Sequence, residues 1–121
     1  MQIDPSLLTA DDDILVVEDD IKNLKFLTDV LKEAGLHVRP ASDGELALRS
    51  VRIKPPALIL LDVRMPGMDG FEVCRILKSE EATRNIPVIF ASGLGDMAEK
   101  IKGFELGAVD YVTKPLNAQE I

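Results

Sequence analysis

Carboxylate, hydroxyl and amine side chains recur directly after apolar runs in this chain. Ile14-Leu15-Val16-Val17 gives way to Glu18-Asp19-Asp20, and Ala57-Leu58-Ile59-Leu60-Leu61 gives way to Asp62. Val88-Ile89-Phe90-Ala91 leads into Ser92, and a weaker run from Val109 to Thr113 leads into Lys114-Pro115. If Glu18, Asp19 and Asp62 met in one place they would repel one another. Two unit charges ~4 Å apart interact by about 4 kcal/mol at a surface-like dielectric. A hard divalent cation relieves that repulsion, and oxygen-only ligands with room for water suit Mg²⁺. A lysine and a hydroxyl beside such a cation make sense together if a phosphoryl group binds there. The cation and Lys114 would neutralise its oxygens, and Ser92 would donate a hydrogen bond. A carboxylate can itself be the nucleophile, forming an acyl phosphate. Asp62 is the best placed, because it ends a central run and precedes a loop.

These residues meet only if the elements that carry them are arranged to converge. Continuous aliphatic runs such as 14–17, 57–61 and 88–91 suit strands covered on both faces. Leu36 to Ala41 and Val109 to Thr113 mix in polar residues and read as edge strands, the first also because it contains Pro40. Between the strands lie segments of helical period. Leu24, Leu27, Val30 and Leu31 form one stripe, closed by Gly35. Ser42 with Glu45 resembles a capping box ahead of Ala47, Leu48 and Val51, and Pro55-Pro56 ends that helix. Asp69 with Glu72 opens a third helix, and Asp96 with Glu99 a fourth whose stripe of Met97, Ile101 and Phe104 reads as core, with the alternative that part of it faces a partner.

Alternating strands and helices predict an α/β fold, a doubly wound five-stranded parallel sheet with helices on both faces. With the continuous runs central, the order is 2-1-3-4-5, the flavodoxin-like order. Ligands in such sheets bind beyond the carboxyl ends of the strands where the order reverses, here between strands 1 and 3. That places Glu18, Asp19 and Asp62 together, with Ser92 and Lys114 on the same rim. Residues 1–12 read as a polar lead-in and 13–121 as one domain. Asn117 with Glu120 opens a fifth helix that is truncated at Ile121. The expectation is a fragment of a longer protein, or a partner that covers the exposed sheet face.

Composition narrows the function classes. The 121 residues are 46% apolar, enough for one real core. A net charge of −7, 4% aromatic content and no Trp argue against direct nucleic-acid or anionic-membrane binding. Cys74 is the single cysteine, so an internal disulfide and a cysteine metal site are excluded. No apolar run approaches the ~20 residues of a membrane helix, and a cytoplasmic location is expected.

With these residues assembled, the chain resembles the receiver domain of two-component response regulators, a module also found in hybrid sensor histidine kinases. The resemblance rests on Ile14 to Asp20, Leu60 to Gly70, Pro87 to Ser92 and Gly107 to Pro115, and covers roughly Asp13 through Asn117. It implies a phosphoacceptor signalling switch, not an enzyme with a separate substrate. Such a domain assists its own phosphorylation and dephosphorylation. Asp62 would accept the phosphoryl group from a phosphohistidine of a histidine kinase or phosphotransfer domain, or from a small phosphodonor. Asp19 would bind Mg²⁺ directly, with Mn²⁺ as a substitute ion. Glu18 would bind it through water, and the Arg64 carbonyl would supply a further ligand. Lys114 would pair with the phosphoryl group. Ser92 and Tyr111 would move with it and reshape the surface of helix 4 and strand 5. A downstream or fused output domain and a homodimer are the implied partners. Glu18 departs from the more usual Asp, Ser92 from Thr and Gly93 from Ala.

Plainer readings stand beside these. Asp19 or Asp20 could cap the first helix and do nothing else. Asp69 reads as a cap, Gly70 as a backbone requirement, and Met65-Pro66-Gly67 as turn chemistry. Tyr111 has an apolar body and a polar tip, so it could pack on an edge strand or act as the switch. His37 reads as a surface side chain and Cys74 as a small buried hydrophobe. Among other functions, an aspartate-nucleophile phosphohydrolase would need an acid two residues after Asp62, where Arg64 stands. A flavin carrier would need a hydroxyl- and glycine-rich loop after the first strand, where three carboxylates stand. A degenerate receiver used only for interaction would lack one of the required groups, all of which are present.

Overall fold

A computed structural model describes residues 13–92 and 97–113, except for the side chains of Ser92, Tyr111, Thr113 and residues 97–99. Five strands, β1 (Ile14–Val17), β2 (Val38–Ala41), β3 (Leu58–Asp62), β4 (Val88–Ser92) and β5 (Asp110–Thr113), alternate with four helices. The helices are α1 (Ile21–Glu33), α2 (Gly44–Ile53), α3 (Gly70–Ser79) and α4 (Met97–Glu105). All strand pairs are parallel and the order is β2-β1-β3-β4-β5, as the apolar runs predict. Among the described residues no helix is long and apolar enough to cross a membrane.

Successive side chains of a strand point to opposite faces, and the core divides accordingly. Leu15, Val17, Ile59, Leu61, Val88 and Phe90 pack with residues of α2 and α3 on one face. Ile14, Val16, Leu58, Leu60, Ile89 and Ala91 pack with Leu27 and Leu31 of α1 on the other. Each fully buried aliphatic chain contributes about 1.5–3 kcal/mol. The three central strands therefore supply much of the stability that holds their carboxyl ends in place.

Local chemistry sets the helix ends. Asp20 caps α1, its carboxylate accepting from the backbone N–H groups of Lys22 at 2.9 Å and Asn23 at 3.3 Å. The C-terminus closes with Gly35 at φ 88°, where the Gly35 N–H bonds Lys32 O and the Leu36 N–H bonds Leu31 O. This paired closure needs a left-handed residue, which glycine adopts without a Cβ penalty. The same closure ends α4 at Gly107. Asp69 caps α3 as predicted, accepting from the Glu72 N–H at 2.9 Å.

Two expectations are corrected. The cap of α2 is Asp43, not Ser42: Asp43 is extended and its carboxylate accepts from the Leu46 N–H at 2.8 Å. Gly44 then opens the helix close against α3, where a Cβ would come within 2.9 Å of Val73 Cγ2. The second correction concerns α4. Ile101 is 51% and Phe104 50% exposed, so these two residues of the stripe are not core, while the side chain of Met97 lies outside the described residues.

The amino end of β1 carries a partly buried ion pair. Asp13 is 8% exposed, and Arg39 Nε lies 2.6 Å from its Oδ2. The angle does not satisfy a hydrogen bond, so the two pair by charge. The same guanidinium donates to Ser50 Oγ at 3.1 Å and to the Lys54 carbonyl, tying β2 to the end of α2. Pro40 lies on β2 at the sheet edge, opposite Val16 in register.

Candidate functional site

The carboxyl ends of β1 and β3 lie side by side, because Val17 is in register with Leu61. The residues that follow or end these strands are Glu18, Asp19 and Asp62. Their carboxylates each offer an oxygen, and these oxygens lie within 4.8 Å of one another. Glu18 is 1% and Asp62 5% exposed, whereas Asp19 is exposed. The cluster therefore reaches solvent on the Asp19 side, while its other two members are held by the core.

Backbone bonds fix these positions. The Glu18 N–H donates to Ala41 O at 3.1 Å, and the Val63 N–H to Ala91 O at 3.1 Å, which continues both strand ladders past the site. The Gly70 N–H donates to Val63 O at 2.9 Å and closes the loop after Asp62. A Cβ at Gly70 would lie 2.1 Å from the Asp62 carbonyl oxygen, a distance no side chain tolerates. The backbone requirement read for Gly70 is thus a direct contact with the residue that ends β3.

Capping and clustering are shared between neighbours. Asp20 takes the first N–H groups of α1, so the cap reading applies to Asp20, and Asp19 faces the cluster. Asn23 donates its side-chain amide to Glu18 Oε1 at 3.1 Å. Sequence reasoning missed Asn23; the available signal was an amide in the first turn of the helix that follows the acidic residues.

The donor set fits a hard divalent cation. It consists of carboxylate oxygens only, from two buried residues and one exposed residue, close enough to share one ion. Such a cation would hold together charges that the fold forces into proximity. Arg64 follows in the β3–α3 loop with its side chain exposed. A groove beside this loop is lined by Arg64, Met65, Pro66, Phe71 and Lys102. Lys102 Nζ sits 4.7 Å from the Phe71 ring centroid, and Phe71 packs edge-on against Phe90 at 5.1 Å.

The remaining expected site residues are only partly described. Ser92 ends β4 and its backbone is in register with Thr113, but its side chain lies outside the described residues. Tyr111 stands on β5 opposite Phe90, likewise without a described side chain. Lys114 lies outside the described residues altogether, as does Gly93. Cys74 is fully buried, and burial pushes its thiol above its ordinary value, with Lys78 opposing weakly. It is a packing residue, as expected, and His37 is exposed.

Comparison with known proteins gives a consistent result. Residues 14–121 match the family model described as the response regulator receiver domain. The chain is 45% identical over 104 residues to the response regulator PleD of Caulobacter vibrioides, a match covering 86% of this chain and 23% of that protein. It is 44% identical over 108 residues to the transcriptional regulator ycf27 of Cyanophora paradoxa, covering 89% and 44% respectively. It thus spans less than half the length of these curated relatives. Among solved structures, a response regulator from Chloroflexus aurantiacus superposes with a TM-score of 0.86 at 38% identity, covering 90% of this chain and 89% of that one.

Proposed function

The chain belongs to the response regulator receiver domain family, and from that premise we propose that it is a Mg²⁺-dependent phosphoacceptor switch of a two-component pathway. The observation that carries this reading is the convergence of Glu18, Asp19 and Asp62 at the carboxyl ends of β1 and β3. Glu18, Asp19 and Asp62 would hold the ion, together with the carbonyl of Arg64. When bound, the ion supplies positive charge that neutralises the carboxylates and the incoming phosphoryl oxygens.

An oxygen of Asp62 attacks the phosphorus of the donor. The bond from phosphorus to the donor nitrogen or oxygen breaks, and the donor leaves with the electron pair. The product is an acyl phosphate on Asp62. Lys114 pairs with the phosphoryl oxygens and Ser92 donates to one of them. Tyr111 turns inward with Ser92 and carries the change to α4 and β5. Exposed apolar residues on that side, Ile101, Phe104 and Val109, support its use as a contact surface. The partners in this reading are a histidine kinase or phosphotransfer domain as donor and an output domain as receiver of the signal, with a second copy of the chain as a further partner.

Incubation with acetyl phosphate and Mg²⁺ should add one phosphoryl group, read by intact mass spectrometry. Asp62→Asn should add none. Modification of Asp62→Asn to the wild-type extent would sink the proposal.

A further inference from the structure

Glu18 is nearly sealed from solvent at 1% exposure, and Asn23 Nδ2 reaches its Oε1 at 3.1 Å. An ionised carboxylate only accepts, so the amide must present its NH₂ group to it. Asn23 is the third residue of α1, and its own N–H is held by the Asp20 cap at 3.3 Å. A Glu or Gln at this position commonly folds back to the N–H of the cap. Asn23 is one methylene shorter and bonds the residue two before the cap instead. Glu18 also carries one more torsion than Asp would, so holding its carboxylate in one orientation costs more side-chain entropy. A neutral amide orients that carboxylate without cancelling its charge, whereas a Lys or Arg there would compete with a cation for it.

From these contacts we infer that Asn23 is a positioning residue, fixing the Glu18 carboxylate toward Asp19 and Asp62. The inference rests on the reading of this cluster as a divalent-cation site. Groups that orient a metal's ligands typically govern affinity by about 10–100-fold. Asn23 acts here through Glu18 alone, so its effect depends on the length of the side chain at position 18.

The test is Mn²⁺ binding to the unphosphorylated chain, followed by the electron paramagnetic resonance signal of free Mn²⁺. Asn23→Ala should raise the Kd about tenfold or more, a loss larger than any fall of its urea midpoint in EDTA accounts for. In Glu18→Asp the carboxylate is drawn back by one methylene, out of reach of the amide. Adding Asn23→Ala to that variant should then change the Kd by less than about twofold. Wild-type affinity in Asn23→Ala overturns the inference and leaves the reading of the site standing. So does an equal loss in the Glu18→Asp background, or a fall in the EDTA midpoint that matches the loss of affinity. No Mn²⁺ binding by the wild-type chain overturns both.

Discussion

At the amino end of β1, Asp13 is 8% exposed and meets the guanidinium of Arg39 at 2.6 Å. At the carboxyl end of the same strand, Glu18 is 1% exposed and meets the amide of Asn23 and two further carboxylates. Burial is similar and the described surroundings differ. The first carboxylate is matched by a cation of the chain, itself anchored to Ser50 and Lys54, so it ties β1, β2 and α2 together. The second lies in a cluster of like charge that suits an external cation. A buried carboxylate alone therefore says little about function; what surrounds it separates a structural pair from a site.

That contrast can be broken or sharpened by substitution. Gly70→Ala should have the largest effect, at least about 3 kcal/mol of stability, since a methyl group would drive into the Asp62 carbonyl. Urea unfolding measures it, and an unchanged midpoint would show that the loop yields. Arg39→Ala should cost about 2 kcal/mol, less than a fully buried pair because the guanidinium is partly exposed. If it costs nothing, the amino end is not held by this pair.

Saturating the carboxyl end should show the opposite behaviour. Mg²⁺ at ten times its Kd should stabilise the wild-type chain by about 1.4 kcal/mol, seen as a rise in Tm over EDTA. Arg39→Ala should keep that increment and Asp19→Asn should lose most of it. The smallest effect is expected for Asp19→Asn in EDTA, a gain of about 0.5 kcal/mol from relieved repulsion. High salt should erase that gain, because exposed charges are screened. A gain that persists in high salt would count against electrostatic repulsion in the cluster.

The central strands were legible because burial on both faces leaves them almost purely aliphatic, and their order then placed Glu18, Asp19 and Asp62 together. Caps at Asp20 and Asp69 were legible as local side-chain chemistry. Asp43 was not, because Ser42 offers an equally good local pattern, and which side chain meets the Leu46 N–H is decided only in the folded turn. Ile101 and Phe104 misled for a related reason: helical period marks an apolar stripe, not whether another element covers it. Asn23 was silent in the sequence, since an amide in a first helical turn acquires meaning only from what it faces. The contact of Gly70 with Asp62 spans eight positions of chain and appears only once the loop is folded.

Pro40 has a consequence for how the molecule meets its neighbours. His37, just before β2, and Ala41, at its end, turn their carbonyls toward β1, accepting from Ile14 and Glu18, so by the two-residue alternation of a strand Pro40 faces outward. Proline has no N–H to offer. An extended peptide aligning along that margin would find a donor missing near the middle of a strand only four residues long. Edge-to-edge aggregation through β2 is thereby discouraged by a covalent ring rather than by charge.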